Sequence, residues 1–147
     1  MFEECKSLTA APELPATTLE NDCYENMFNG CTSLATAPNL PATTLESYCY
    51  QNMFYGCTSL TTAPVLPATT LKWYCYGGMF SGCSSLNYVK ALFTDIEPGY
   101  SYSYSECLND WLDGVAENGT YVMSSAATYD AKVDAGVPSN WTVSLNN

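Results

Sequence analysis

A Met-Phe pair returns every 26 residues along this chain, at Met1, Met27, Met53 and Met79, and its neighbours return in step. Self-similarity at a fixed period of this size marks stacked supersecondary units, none of which can bury its apolar face without the next. The second copy reads MFNGCTSLATAPNLPATTLESYCYQN and the third MFYGCTSLTTAPVLPATTLKWYCYGG, identical at 19 of 26 positions. The first, MFEECKSLTAAPELPATTLENDCYEN, fits the same frame. Because Met1 already holds the repeat's Met position, the frame predicts that the chain is a piece of something longer, with an upstream segment carrying an export signal, an anchor or more copies.

Within each unit Leu45, Cys49, Met53 and Cys57 recur four residues apart beside Tyr50 and Phe54, which reads as a helix from about Leu45 to Tyr55. Thr43 with Glu46, and Thr17 with Glu20, have the capping-box spacing, and Lys72 breaks it in the third copy. Gly56 and Gly82 stand where a left-handed residue would end the helix. Ser33 to Ala37 reads as a short strand, with Pro38 and Pro41 preventing helix continuation. Stacking then predicts interior columns: Leu8, Leu34, Leu60, Leu86; Leu14, Leu40, Leu66; Leu19, Leu45, Leu71; and Phe2, Phe28, Phe54, Phe80. The fourth copy diverges at Asn87. Residues 1–90 are therefore expected to form tandem repeats, and 91–147 a degenerate last rung at Glu106 to Val115 followed by a C-terminal cap. Thr120-Tyr121-Val122 and Trp141-Thr142-Val143 are its expected strands.

The motif MFxGCTSLxxAPxLPATTLxxxCY resembles the bacterial leucine-rich repeats of the BspA or Treponema pallidum type, strongly from Met1 to about Leu86. The ending, CLNDWLDGVAENGTYV followed by VPSNWTV, is similar to end modules of such proteins in gut Bacteroidetes and their phages. The resemblance implies an α/β fold, a right-handed leucine-rich-repeat solenoid of 26-residue strand-turn-helix rungs with a C-terminal capping segment. It also implies an extracellular or cell-surface location, or alternatively a virion (phage tail or fibre), and adhesion to proteins, other bacteria or matrix. The sequence departs from the commoner 23-residue form, with Ala-Pro where many members have Ile-Pro.

Composition closes several functional classes. A net charge of −11, with 4 basic residues against 15 acidic ones, argues against nucleic acid, whose affinity is built on Lys and Arg, and against anionic membrane surfaces. No apolar run is long enough to span a bilayer, so no membrane insertion is expected. The chain has no histidine, which removes the Ser-His and Cys-His pairs of nucleophilic catalysis. The eight cysteines allow three readings. Small buried fillers are preferred, with disulfides between neighbouring rungs next. Metal ligands come last, since no CxxC pair occurs, and neither metal nor cofactor is expected. Asp95 with Glu97, or Glu106, Asp110, Asp113 and Glu117, could make a Ca²⁺ site or a glycosidase pair, but a solvated acidic face accounts for them better.

Copy-to-copy variation concentrates at a few positions: Asn21, Ser47, Trp73; Asp22, Tyr48, Tyr74; Glu13, Asn39, Val65; and Glu3, Asn29, Tyr55, Ser81. Unconstrained surface would vary too, but here the drift is toward aromatics, which concentrate binding energy when exposed. The expected binding residues are Trp73, Tyr74, Tyr76, Tyr48 and Tyr55, with Tyr100, Tyr102 and Tyr104 of the insertion. The expected function is a non-enzymatic adhesion or receptor-binding module recognising a protein or glycan on a cell surface. The alternative is a structural element of a surface layer, fibre or phage tail that forms homo-oligomers through its open ends.

Overall fold

The computed structural model describes residues 1–96 and 106–147. Among them there is no helix. The regular elements are three short strands, β1 (Tyr88–Ala91), β2 (Thr120–Ser124) and β3 (Thr142–Asn146), all parallel in the order β1-β2-β3. The expected α/β leucine-rich-repeat solenoid with strand-turn-helix rungs is therefore incorrect, and with it the leucine-rich-repeat and BspA-like description. The two expected C-terminal strands are present, as β2 and β3.

What replaces the helix is a ladder of turns. Cys23, Glu25, Met27, Asn29 and Cys31 donate their N–H groups three residues back along the chain, to Glu20, Asp22, Tyr24, Asn26 and Phe28. The interleaved Asp22, Tyr24, Asn26, Phe28 and Gly30 donate instead to the next copy, to Ser47, Cys49, Gln51, Met53 and Tyr55, at 2.8–3.2 Å. The second copy repeats this arrangement onto the third. Every fourth residue holds a left-handed backbone: Asp22 at φ 60°, Asn26 at 54° and Gly30 at 73°, then Tyr48, Asn52 and Gly56. An α-helix needs every residue right-handed, so one left-handed residue in four ends it and turns alternate N–H groups toward the neighbouring copy. The Thr-Glu pairs thus have no helix to cap. Gly56 and Gly82 do have positive φ, but as recurring members of the ladder and not as helix ends.

The columns expected from the repeat are interior except at Phe2, Leu8 and Leu71, which are partly buried. Phe28, Phe54 and Phe80 are fully buried, and with Phe2 they stack ring on ring with centroids 5.6 Å apart. Tyr24, Tyr50 and Tyr76 form a second stack at 5.8 and 6.0 Å. All eight cysteines are free thiols, Cys5 and Cys23 exposed and six buried. The thiols of Cys31, Cys57 and Cys83 donate to the carbonyls of Phe2, Phe28 and Phe54 at 2.9, 3.2 and 3.0 Å, so this column links copies by hydrogen bonds as well as filling space.

Beyond the third copy the register jumps by six residues. Tyr76, Gly78, Phe80 and Gly82 donate to Cys107, Asn109, Trp111 and Asp113, which makes the segment around Glu106 to Val115 the next rung. Elsewhere around the repeat, isolated parallel bridges pair Ala10 with Thr36, Thr18 with Thr44, and Thr62 with Tyr88. Tyr88 then pairs with Thr120 and Thr120 with Thr142, so the C-terminal segment continues the same line of parallel pairing. Trp141, buried against Gly119, donates its indole N–H to the Ala116 carbonyl at 2.8 Å and fastens this segment to the stack. No helix among the described residues is long and apolar enough to cross a membrane.

Candidate functional site

The turn ladder decides which aromatics face solvent. In the column Asp22, Tyr48, Tyr74 the backbone is left-handed in all three copies, with φ 60°, 60° and 51°. Asp tolerates that conformation, whereas a bulky residue there costs about 1–3 kcal/mol and is seen where a function retains it. Two tyrosines occupy it nonetheless. Their rings stack at 5.5 Å with an interplanar angle of 3°, and Trp73, 54% exposed, lies 6.2 Å from the Tyr74 ring.

Next to this aromatic cluster the repeat is interrupted. The first copy carries Glu25-Asn26 and the second Gln51-Asn52, where the third has Gly77-Gly78. Both glycines are buried. A Cβ at Gly77 would stand 2.9 Å from Cδ1 of Tyr74, and one at Gly78 would collide with Oδ1 of Asn52. Removing two side chains from the column thus lets Tyr74 and Asn52 settle against bare backbone. Beside them lies a notch of about 250 Å³. It is lined by the aromatic Tyr55 and Tyr74, by Gly77-Gly78, and by the polar residues Gln51, Asn52, Ser81, Asn109, Asp110 and Asp113. Ser81 is the Tyr55 position one copy later, so a shortened side chain opens the space that Tyr55 borders.

Of the residues expected to bind, Tyr55 and Tyr74 line the notch, Tyr48 backs Tyr74, and Trp73 stands beside it. Tyr76 does not join them. It is 1% exposed in the interior stack between Tyr50 and Trp111, where burial raises its phenol well above the ordinary range. Its neighbour Tyr50 has a buried hydroxyl with no hydrogen-bond partner among the described residues. Tyr100, Tyr102, Tyr104 and Glu97 lie outside the described residues. Asn52, Gly77 and Gly78 were missed by sequence reasoning, whereas Ser81 was among the variable positions. The available signal was the break in an otherwise constant Asn column at Gly78, next to the copies' most aromatic position.

A second, larger cavity of about 760 Å³ lies between the last rung, Leu108 to Glu117, and the segment Val133 to Asn140. The carboxylates Asp110, Asp113, Glu117 and Asp134 border it. Among the described residues no three His, Cys, Asp or Glu side chains come together as a metal-binding group. Comparison with known proteins returns no matching family model, no matching curated protein and no matching solved structure.

Proposed function

We propose that this chain is a non-enzymatic recognition module of an extracellular or cell-surface protein, binding its target through the aromatic face formed by Tyr48, Tyr55, Trp73 and Tyr74. The observation that carries the reading is the pair of stacked tyrosines held in a left-handed backbone beside the notch. Packing does not require aromatics there, since the first copy uses Asp22 in the same conformation. Aromatic groups combine large contact area with few rotatable bonds, which suits a binding face on a chain with little charge. The absence of histidine is the basis for taking the module as non-catalytic. The combined change Trp73→Ala with Tyr74→Ala is expected to weaken attachment to the target surface by roughly 30-fold or more, the effect of losing a binding hot spot. Fluorescence-labelled protein titrated onto whole cells and extracellular matrix measures this; unchanged attachment by the double variant would discard the reading.

A second reading, self-assembly through the ends of the stack, draws on one observation. The N–H groups of Asp110, Leu112 and Gly114 correspond to those of Gly78, Phe80 and Gly82, which donate to the next rung, yet they meet no carbonyl among the described residues. The segment Val133 to Asn140 covers part of this rung, and the part of the edge left open is a template for another chain. Sedimentation velocity between micromolar and millimolar protein separates the two readings: concentration-dependent growth without attachment to surfaces favours assembly, and a constant monomer discards it.

A further inference from the structure

We infer that the Gly77-Gly78 notch is a subsite for one ring of a neutral saccharide, a ligand class that rests on the recognition reading above and narrows it. Three features carry the inference. The first is wall chemistry: Tyr55, 46% exposed, and the half-buried Tyr74 line the notch, and tyrosine rings supply apolar surface against which the C–H face of a pyranose packs while its hydroxyls point sideways. The second is the rim. Asn52, Asn109, Asp110, Asp113 and Ser81 offer amides, carboxylates and a hydroxyl close together. A carboxylate or amide oxygen accepts from neighbouring sugar hydroxyls, and an amide NH₂ donates to ring or hydroxyl oxygens, so this mixture suits a ligand whose every polar group both donates and accepts. The third is size. About 250 Å³ lies just below the ~300–1,000 Å³ of pockets that enclose drug-sized ligands, and suits a single ring of a longer glycan reaching out of the notch.

Charge selects among saccharides. Asp110 and Asp113 line the notch, no basic residue does, and the whole chain carries −11. Sialic acids, uronic acids and sulfated sugars would bring a carboxylate or sulfate against these groups with no cation to receive it. A hydroxylated, uncharged pyranose meets no such opposition. A proline-rich peptide would also suit aromatic walls, but it has no N–H at proline and few donors for the two carboxylates and three amides gathered here.

The test uses the full chain on a glycan array holding neutral and acidic oligosaccharides, followed by saturation-transfer NMR with methyl glycosides of glucose, galactose and mannose. Expected is binding to neutral glycans, at least tenfold weaker in Tyr74→Ala. Binding should also be abolished by Gly77→Gln with Gly78→Asn, which restores the side chains of the second copy and fills the notch. Each new Cβ must displace the end of a neighbouring side chain, Tyr74 at Gly77 and Asn52 at Gly78, so circular dichroism checks that the pair folds, and Tyr74→Ala alone carries the test if it does not. Binding only to sialylated or sulfated glycans, or neutral binding that survives the filled notch, overturns the inference. Attachment to cells that is lost on protease treatment, with no glycan bound, overturns it while leaving the recognition reading in place. No attachment to any surface and no glycan bound would overturn both.

Discussion

Replacing Trp111 with alanine is expected to cost about 3–5 kcal/mol, the usual range for deleting a large buried aromatic. Its indole is 1% exposed and packs against Tyr76 and Phe80 of the repeat stack, Phe93 beyond β1, and Tyr121 of β2, with centroids 6.1–6.3 Å away. Its Nε1 donates to the buried Ala135 carbonyl at 2.6 Å. One side chain thus joins the last rung, the sheet and the C-terminal segment. Truncation opens a cavity at their meeting point and leaves a buried carbonyl unpaired, which itself costs about 1–3 kcal/mol. Against a total stability of about 5–15 kcal/mol, the variant should melt at least 10 °C lower. Trp111→Phe, which keeps a ring but loses the donor and part of the indole's volume, should fall between the wild type and the alanine variant. Urea and thermal unfolding followed by circular dichroism give the answer, and a loss below 1 kcal/mol for the alanine variant would mean that the C-terminal segment is not fastened through this ring.

Alkali is expected to unfold the protein cooperatively between about pH 10 and 11. Burial pushes the thiols of Cys49 and Cys83 up to about 12 and that of Cys107 to about 11, and pushes the Tyr129 phenol to about 12. Cys57, Cys75, Tyr50 and Tyr121 are raised by burial as well. In the unfolded chain thiols titrate near 9.0 and phenols near 10.0. The folded state therefore holds protons that the unfolded state releases. The stability these groups contribute is complete below about pH 9 and is lost as pH rises toward their folded values. Each group lowers stability by about 1.4 kcal/mol per pH unit in that window, so a handful acting together exhausts a typical folding free energy within one or two units. Ellipticity and tyrosinate absorbance should change together in one step. Tyrosines and thiols that ionise near their ordinary values while the folded ellipticity persists would contradict the interior placement of these columns.

The interior columns and the extra residues before the last rung were legible in the sequence because the repeat itself reports them. Positions that recur unchanged at Phe28, Phe54 and Phe80, or Cys31, Cys57 and Cys83, are those that meet their own copies in space. The helix was misread for a reason also present in the sequence. A stripe at i, i+4, i+8 and i+12 drifts by about 40° per step on a helix of 3.6 residues per turn, whereas it stays in line on a ladder with a period of four. The residues that make the ladder, Asp22, Asn26 and Gly30, are those that tolerate positive φ, spaced four apart. The binding residues separated along the same line. Trp73 and Tyr74 are exposed or half-buried, while Tyr76, only two residues on, lies inside, because the ladder's period of four buries side chains in adjacent pairs, as at Cys49-Tyr50 and Met53-Phe54, and turns the pair between them outward.

By itself the sequence determined that this protein is a stack: its period, its interior columns and its acidic, histidine-free surface follow from composition and self-similarity alone. Only the tertiary structure decided how each copy is folded and where a notch opens. The N–H groups of Asp22, Asn26 and Gly30 have no partner within their own copy, so the conformation they favour is stable only when the carbonyls of the next copy are in place to receive them. Likewise, the notch exists only where Tyr55, Asn52, Gly77-Gly78 and Asp110, from neighbouring rungs, come together.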